Sequence, residues 1–420
     1  MSRQHAPLVV GLVSGSHVVN HAYMLLFAPA FPLLRAEFGV SLSALGLALG
    51  VISAVVTAGQ LPLGHISDTY SHTAVLVGCL SVGTVGAALA AVAPNYEALV
   101  VAAAVIGLGV AGHHPAHYPL ISAAAPEAYR SRAYSVHGFA GALGLAVPFA
   151  AVSAAVALGY GWRAAFGVIA ALGFLYTVAT VLAIRYIPRS IARAGAEARN
   201  EDSEAADTSE VAPTGRLRSF AARFVDYFRS LAGAPLILLL TALWFVNSVA
   251  AWGIRSYAAT LLDAGYGLAP GTASLVAGAM LIVGAVVLLG GGYLADEIGP
   301  FPVLFAGYGS LVVLAALLST ALLSVFAAAG LVLLLAATID LSRPARSTLT
   351  DLASERGSVG KNFALMTVGI SAGGAVAPPM FGYVIETAGV GPAFLGVAAM
   401  AGVAFGLSVF VARAARRDGV

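Results

Sequence analysis

The chain has 420 residues, of which 60% are hydrophobic and only 10% charged, with a formal net charge of +2. Its mean hydropathy of +0.91 is far above what a soluble surface permits, since soluble domains carry about a quarter charged residues. These values exclude a water-soluble protein, give little support to a nucleic-acid-binding surface, and describe an integral membrane protein.

A bilayer core roughly 30 Å thick takes about 20 apolar residues per helix, and runs of that kind recur along the whole chain. In chain order they are expected at roughly 8–34, 42–64, 73–93, 98–120, 133–157, 163–187, 235–262, 268–294, 301–319, 322–343, 361–387 and 391–412, which makes twelve spans. The runs are apolar on all sides, so they read as helices; barrel strands would alternate. The first is too long, and too poor in preceding basic residues, to be a cleaved signal peptide.

Span one carries His17, Asn20 and His21, and span three holds Cys79, the single cysteine, read as a buried apolar filler. Span four contributes His113, His114 and His117, and His137 lies early in span five. All nine histidines precede residue 138. In span five, Gly138, Gly141 and Gly144 allow close helix approach and Pro148 bends the helix; Gly369, Gly373, Gly374, Pro378 and Pro379 do the same in span eleven.

Composition breaks after span six. Ala194 to Gly215 is acidic and without apolar periodicity, as in a flexible linker, whereas Arg216 to Leu231 reads as a basic amphipathic helix on the inner membrane surface or as an extension of span seven. The second half supplies Asn247 and Arg255 in span seven and Asp340 and Arg343 in span ten. The basic residues other than Arg35, Arg163 and Arg255 fall on one side of a twelve-span topology, which predicts cytoplasmic termini.

The halves repeat. Gly64 to Asp68 recurs 228 residues later as Gly292 to Asp296, Ala165-Phe166 recurs as Ala393-Phe394, and Gly144 with Pro148 recurs as Gly374 with Pro378. The expected organisation is a six-helix bundle over residues 1–190, a cytoplasmic linker over 191–234 and a second six-helix bundle over 235–420. Parallel repeats of this kind build a large class of secondary transporter with its site between the halves.

On these residues the chain resembles the major facilitator superfamily: the paired Gly-to-Asp loops, Trp162-Arg163 before span six, and the Gly-rich, Pro-bearing spans five and eleven. His17 to Phe38 and Gly107 to Pro115 are similar to the fosmidomycin-resistance type of drug efflux proteins. Departures are present too: Asp68 and Asp296 lack the basic residues that usually follow, and Ala103 stands where many proton-coupled drug antiporters carry Arg. The resemblance implies an all-α membrane protein of two pseudo-symmetric six-helix bundles, monomeric, without a cofactor, in the cell membrane. It also implies that spans one, four, seven and ten line a cavity, and that Asp68 and Asp296 gate it with Arg356 and with Arg130 or Arg132. Alternatively, each Asp caps its own helix.

An ionisable residue inside the membrane is a functional hypothesis by default. His17, Asn20, His21, His113, His114, His117, Asn247, Arg255, Asp340 and Arg343 are therefore the expected cavity set. An offset of 229 sets His114-Pro115 against Arg343-Pro344, which suits an anionic substrate. Arg255 either joins this set or snorkels outward. If Asp340 pairs with Arg343, a histidine is the better proton carrier, with His17, His21 and His114 first.

His17 with His21, and His113 with His117, have the i,i+4 spacing that zinc ligation uses. A transported divalent cation would want accompanying carboxylates, of which only Asp340 is available, and no resident metal is expected. There is no phosphate-binding loop, nucleophile motif or sizeable soluble domain, so neither an enzyme nor a primary pump is expected, and a non-transporting sensor is the weakest reading. The expectation is alternating-access export of a small organic molecule by proton antiport; uptake of an organic anion with protons is the alternative.

Overall fold

The computed structural model describes residues 2–188, 191, 235–354 and 359–418, and every regular element among them is helical. Twelve helices are long and apolar enough to cross a membrane. Spans one to six are His5–Phe38, Leu42–Thr69, His72–Ala91, Tyr96–Ala124, Arg132–Ala157 and Trp162–Ile184. Spans seven to twelve are Pro235–Tyr266, Pro270–Ile298, Pro300–Ser319, Val325–Leu352, Leu365–Ala388 and Val390–Arg417. All of the expected 191–234 linker except residue 191, the side chain of Arg130 and the whole of Arg356 lie outside the described residues.

Local chemistry sets the helix ends. The side chains of Ser41, Ser71, Asn95 and Ser324 accept the first free backbone N–H groups of spans two, three, four and ten. Pro270 and Pro300 open spans eight and nine, where a missing N–H costs nothing. Gly39, at φ +65°, stops span one in the left-handed region.

The structure corrects three expectations. The repeated Gly-to-Asp segments are not loops: they form the last helical turns of spans two and eight. Span ten continues through Pro344 to Leu352, because Ala345 and Leu349 bury against Trp244 and Leu304 and reward the extra turns. Span four is broken at Gly112 into Tyr96–Ala111 and His113–Ala124.

The repeat is structural as well as sequential. Gly64 faces the Pro115 ring and Gly292 faces the Pro344 ring, so span two meets span four as span eight meets span ten. Span two packs along span eleven, and span five along span eight.

Twelve crossings put both termini on one face. The polar contacts joining the halves among the described residues concentrate at the opposite, far face. There Tyr257 Oη donates toward Leu42 O at 2.9 Å and Pro378 O at 2.7 Å. Glu386 accepts from the Leu42 N–H at 2.9 Å, at the start of span two, and lies 3.6 Å from Arg35. Ser153 Oγ donates to Gly271 O and Ser274 Oγ to Phe149 O.

Candidate functional site

Six histidines from three spans form one cluster in the first half. His17 sits at the centre, its ring centroid 4.0 Å from His21, 4.1 Å from His137, 5.3 Å from His117, and 5.4 Å from both His113 and His114. The packing depends on span five: a Cβ at Gly141 would lie 2.3 Å from the His17 ring, and one at Gly144 would lie 2.4 Å from Val18 O. Those glycines bring the helix backbones close enough for two hydrogen bonds. His17 Nδ1 donates to His137 O and His21 Nδ1 to Gly141 O, both at 2.9 Å.

The acceptors fix the tautomers, because a carbonyl can only accept. His17 and His21 therefore each carry hydrogen on Nδ1, and their Nε2 atoms face one another at 2.9 Å. Ser16 Oγ donates to Val13 O, so it accepts from His113 Nε2 at 3.0 Å. His113 Nδ1 is then a lone pair, 3.0 Å from His117 Nδ1. His117 Nε2 and His114 Nδ1 are buried without a hydrogen-bond partner. Among the described residues none of the six imidazoles forms an ion pair with a carboxylate.

The second half is built on arginine. Asp340 does not pair with Arg343: it accepts from Arg255 at 2.9 Å, joining span ten to span seven. The i,i+3 spacing keeps Arg343 on the same helix face as Asp340 and within electrostatic range of it, but the hydrogen-bonded ion pair is made with Arg255 on the neighbouring helix. Arg255 thus turns inward and does not snorkel. Asp340 Oδ2 lies so near Gly284 of span eight that a Cβ there would clash with it, which seats the carboxylate against that backbone.

Arg343 is exposed and forms no ion pair among the described residues. It lies within electrostatic range of His21, His114 and Tyr118 of the first half, so its guanidinium occupies the gap between the halves. A free guanidinium supplies a fixed charge and paired N–H donors suited to carboxylate, sulfonate or phosphate groups.

Other expected residues are placed apart. Asn20 is buried, with Nδ2 3.5 Å from Gly109 O, and Asn247 is buried in span seven; the side-chain oxygen of each has no partner. Asp68 and Asp296 are exposed, and among the described residues neither forms an ion pair.

Several residues of the site were missed in the sequence. Arg346, only 1% exposed, donates to Tyr308 Oη at 2.5 Å and lies 4.4 Å from the Trp244 ring centroid. Its place one turn beyond Arg343 was the available signal, concealed by ending span ten too early. Tyr118, beside His114 and His117, was masked by the common role of tyrosine at membrane interfaces. The part played by Gly141 needs the approach of span one to be known.

Comparison with known proteins agrees with this architecture. The chain is 25% identical to the probable sulfoacetate transporter SauU of Cupriavidus necator, over 94% of this chain and 92% of that one. Two crystal structures of a bacterial homolog of the human lysosomal transporter Spinster share the fold. The inward-facing, occupied form has a TM-score of 0.74 at 13% identity, covering 96% of each chain. The inward-facing, unoccupied form has 0.70 at 17% identity, covering 98% of this chain and 96% of that one. The description of the Major Facilitator Superfamily matches residues 13–359, and the chain belongs to that superfamily of transporters.

Proposed function

We propose that this chain is a secondary active transporter of a small organic anion, bound between Arg343 of span ten and His114 of span four. The observation that carries this reading is the exposed guanidinium of Arg343, which no carboxylate contacts directly among the described residues, since the nearby Asp340 is committed to Arg255. One carboxylate shared by two guanidinium groups leaves positive charge in excess, which is costly inside a membrane, and an entering anion offsets that cost. The likeness to a probable sulfoacetate transporter supports the same class, a short sulfonate or carboxylate.

Alternating access follows from two rigid halves that meet at the far face, while the gap beside Arg343 admits substrate from the face bearing the termini. The distribution of basic residues supports a cytoplasmic location for that face and for both termini, in the cell membrane. Energy comes from a gradient, with the proton as the coupled ion. The direction of net movement follows from the gradients imposed. Export of a small organic molecule by proton antiport remains a second reading, favoured by the resemblance of His17 to Phe38 and Gly107 to Pro115 to efflux proteins.

The test is a panel of labelled sulfonates, carboxylates and neutral or cationic drugs in proteoliposomes with an imposed pH gradient, read with an internal pH dye. Anion accumulation accompanied by proton movement supports the proposal. Movement of neutral or cationic compounds with no movement of anions overturns it.

A further inference from the structure

We infer that the histidine cluster is a binding site for a borderline divalent transition-metal ion, with Zn(II) as the reference species, held by His17, His113 and His114. The ligand nitrogens of these three lie within 4.8 Å of one another. Zn–N bonds of about 2.0–2.1 Å in tetrahedral geometry set ligand nitrogens roughly 3.3 Å apart, so modest side-chain movement closes the site.

The second observation is an accounting of protons and lone pairs. With Nδ1 of His17 and of His21 each committed to a carbonyl, both neutral rings point bare Nε2 lone pairs at each other across 2.9 Å. That contact is repulsive unless positive charge sits between or beside them. The unpartnered Nδ1 of His114 adds a further nitrogen, and the lone pair of His113 Nδ1, which accepts from the His117 Nδ1–H at 3.0 Å, is available to a metal that displaces that hydrogen bond. A ring that donates one N–H to a backbone carbonyl and offers its other nitrogen inward has the orientation found around bound metals.

The donor set also selects the ion. Imidazole suits Zn, Co, Ni and Cu, whereas Mg and Ca require the oxygen ligands this cluster lacks. His114, only partly buried, connects the site to the gap between the halves and leaves a fourth position for hydroxide or another anion, which offsets part of the charge. Spacing within single helices pointed only to two separate i,i+4 pairs. The fold joins them, and the three ligands come from two spans.

The test uses the full-length chain purified without a polyhistidine tag, stripped with chelator and exposed to Zn(II) or Co(II) alone, so it does not depend on which anion is moved. The expected result is one tightly held metal per chain by elemental analysis, a tetrahedral Co(II) absorption band, and a rise in thermal midpoint on adding Zn(II). His17→Ala, His113→Ala and His114→Ala should each weaken binding by roughly tenfold or more, while His65→Ala should leave it unchanged. Unaltered thermal midpoints of the metal-free variants would separate lost ligation from misfolding. If a destabilised variant complicates this, the Co(II) band of the wild type decides. No retained metal and no tetrahedral band overturns the inference, as does equal retention by the triple variant; in the first case the facing Nε2 atoms share a proton only.

Discussion

The two halves share one scaffold and differ in the chemistry at its centre. The first half places six neutral-capable rings in contact and no carboxylate beside them. The second half places three arginines there: Arg255 is paired with Asp340, Arg343 stands open to the gap, and Arg346 is enclosed by Trp244 and Tyr308. Duplication therefore conserved backbone pairing, visible where Gly64 meets Pro115 and Gly292 meets Pro344, while the polar interiors diverged. A guanidinium is a permanent charge and donor, whereas an imidazole can donate, accept, ligate or carry charge. One half fixes a positive site, and the other supplies lone pairs that can respond to what arrives.

The largest expected effect tests the open arginine. Arg343→Gln should reduce anion transport by roughly a hundredfold, the equivalent of about 3 kcal/mol for a lost charge-assisted contact. Arg343→Lys should retain part of it, because charge persists while the bidentate geometry is lost. Both are read as initial rates in the proteoliposome assay. Equal rates in Arg343→Gln and wild type would remove the anion site from the second half.

Next is the paired arginine. Asp340→Asn leaves Arg255 without a counter-charge in a mostly buried place, a loss of about 3 kcal/mol. Combining it with Arg255→Gln should restore more than half of the lost thermal stability. Additive losses in the double variant would show that the two residues do not depend on one another.

The histidine half should be most sensitive to volume. Gly144→Ala places a methyl group 2.4 Å from Val18 O, and overpacking of this kind costs roughly 1–3 kcal/mol. Gly167→Ala, inside span six where a Cβ meets nothing within 4 Å, is the matched control and should not lower the thermal midpoint. If both behave alike, close approach of spans one and five does not hold the cluster.

The smallest effect concerns the far-face contact that both halves share. Tyr257→Phe removes hydrogen bonding to Leu42 O and Pro378 O worth about 1 kcal/mol net, or roughly a fivefold shift toward opening there. Maleimide labelling of Ala258→Cys, a buried position next to Tyr257 in the chain, reads the shift in a Cys79→Ser background. An unchanged labelling rate would show that Tyr257 does not hold the far face shut.

Much of the site was legible because a charged or imidazole side chain within an apolar run is conspicuous. His17, His21, His113, His114, His117 and Arg343 all stand out in that way. The partner of Asp340 was not legible, since the nearest basic residue in sequence is Arg343 whereas the bonded one is Arg255, 85 positions away. Arg346 was missed for a related reason. Pro344 and the polar residues around it read as a helix end, but burial of Ala345 and Leu349 carries the helix onward.

The sequence by itself determined the number of spans, the duplication and the kinds of charge placed in the membrane. Each rests on local quantities: the length of apolar runs, the repetition of motifs and the high cost of burying an ionisable group in lipid. Only the tertiary structure decided which groups meet. The gathering of six histidines from three spans, the Arg255–Asp340 pair and the freedom of Arg343 depend on helix rotation and depth. Those are set by close contacts such as Gly141 against His17, whose partners are far apart in the chain.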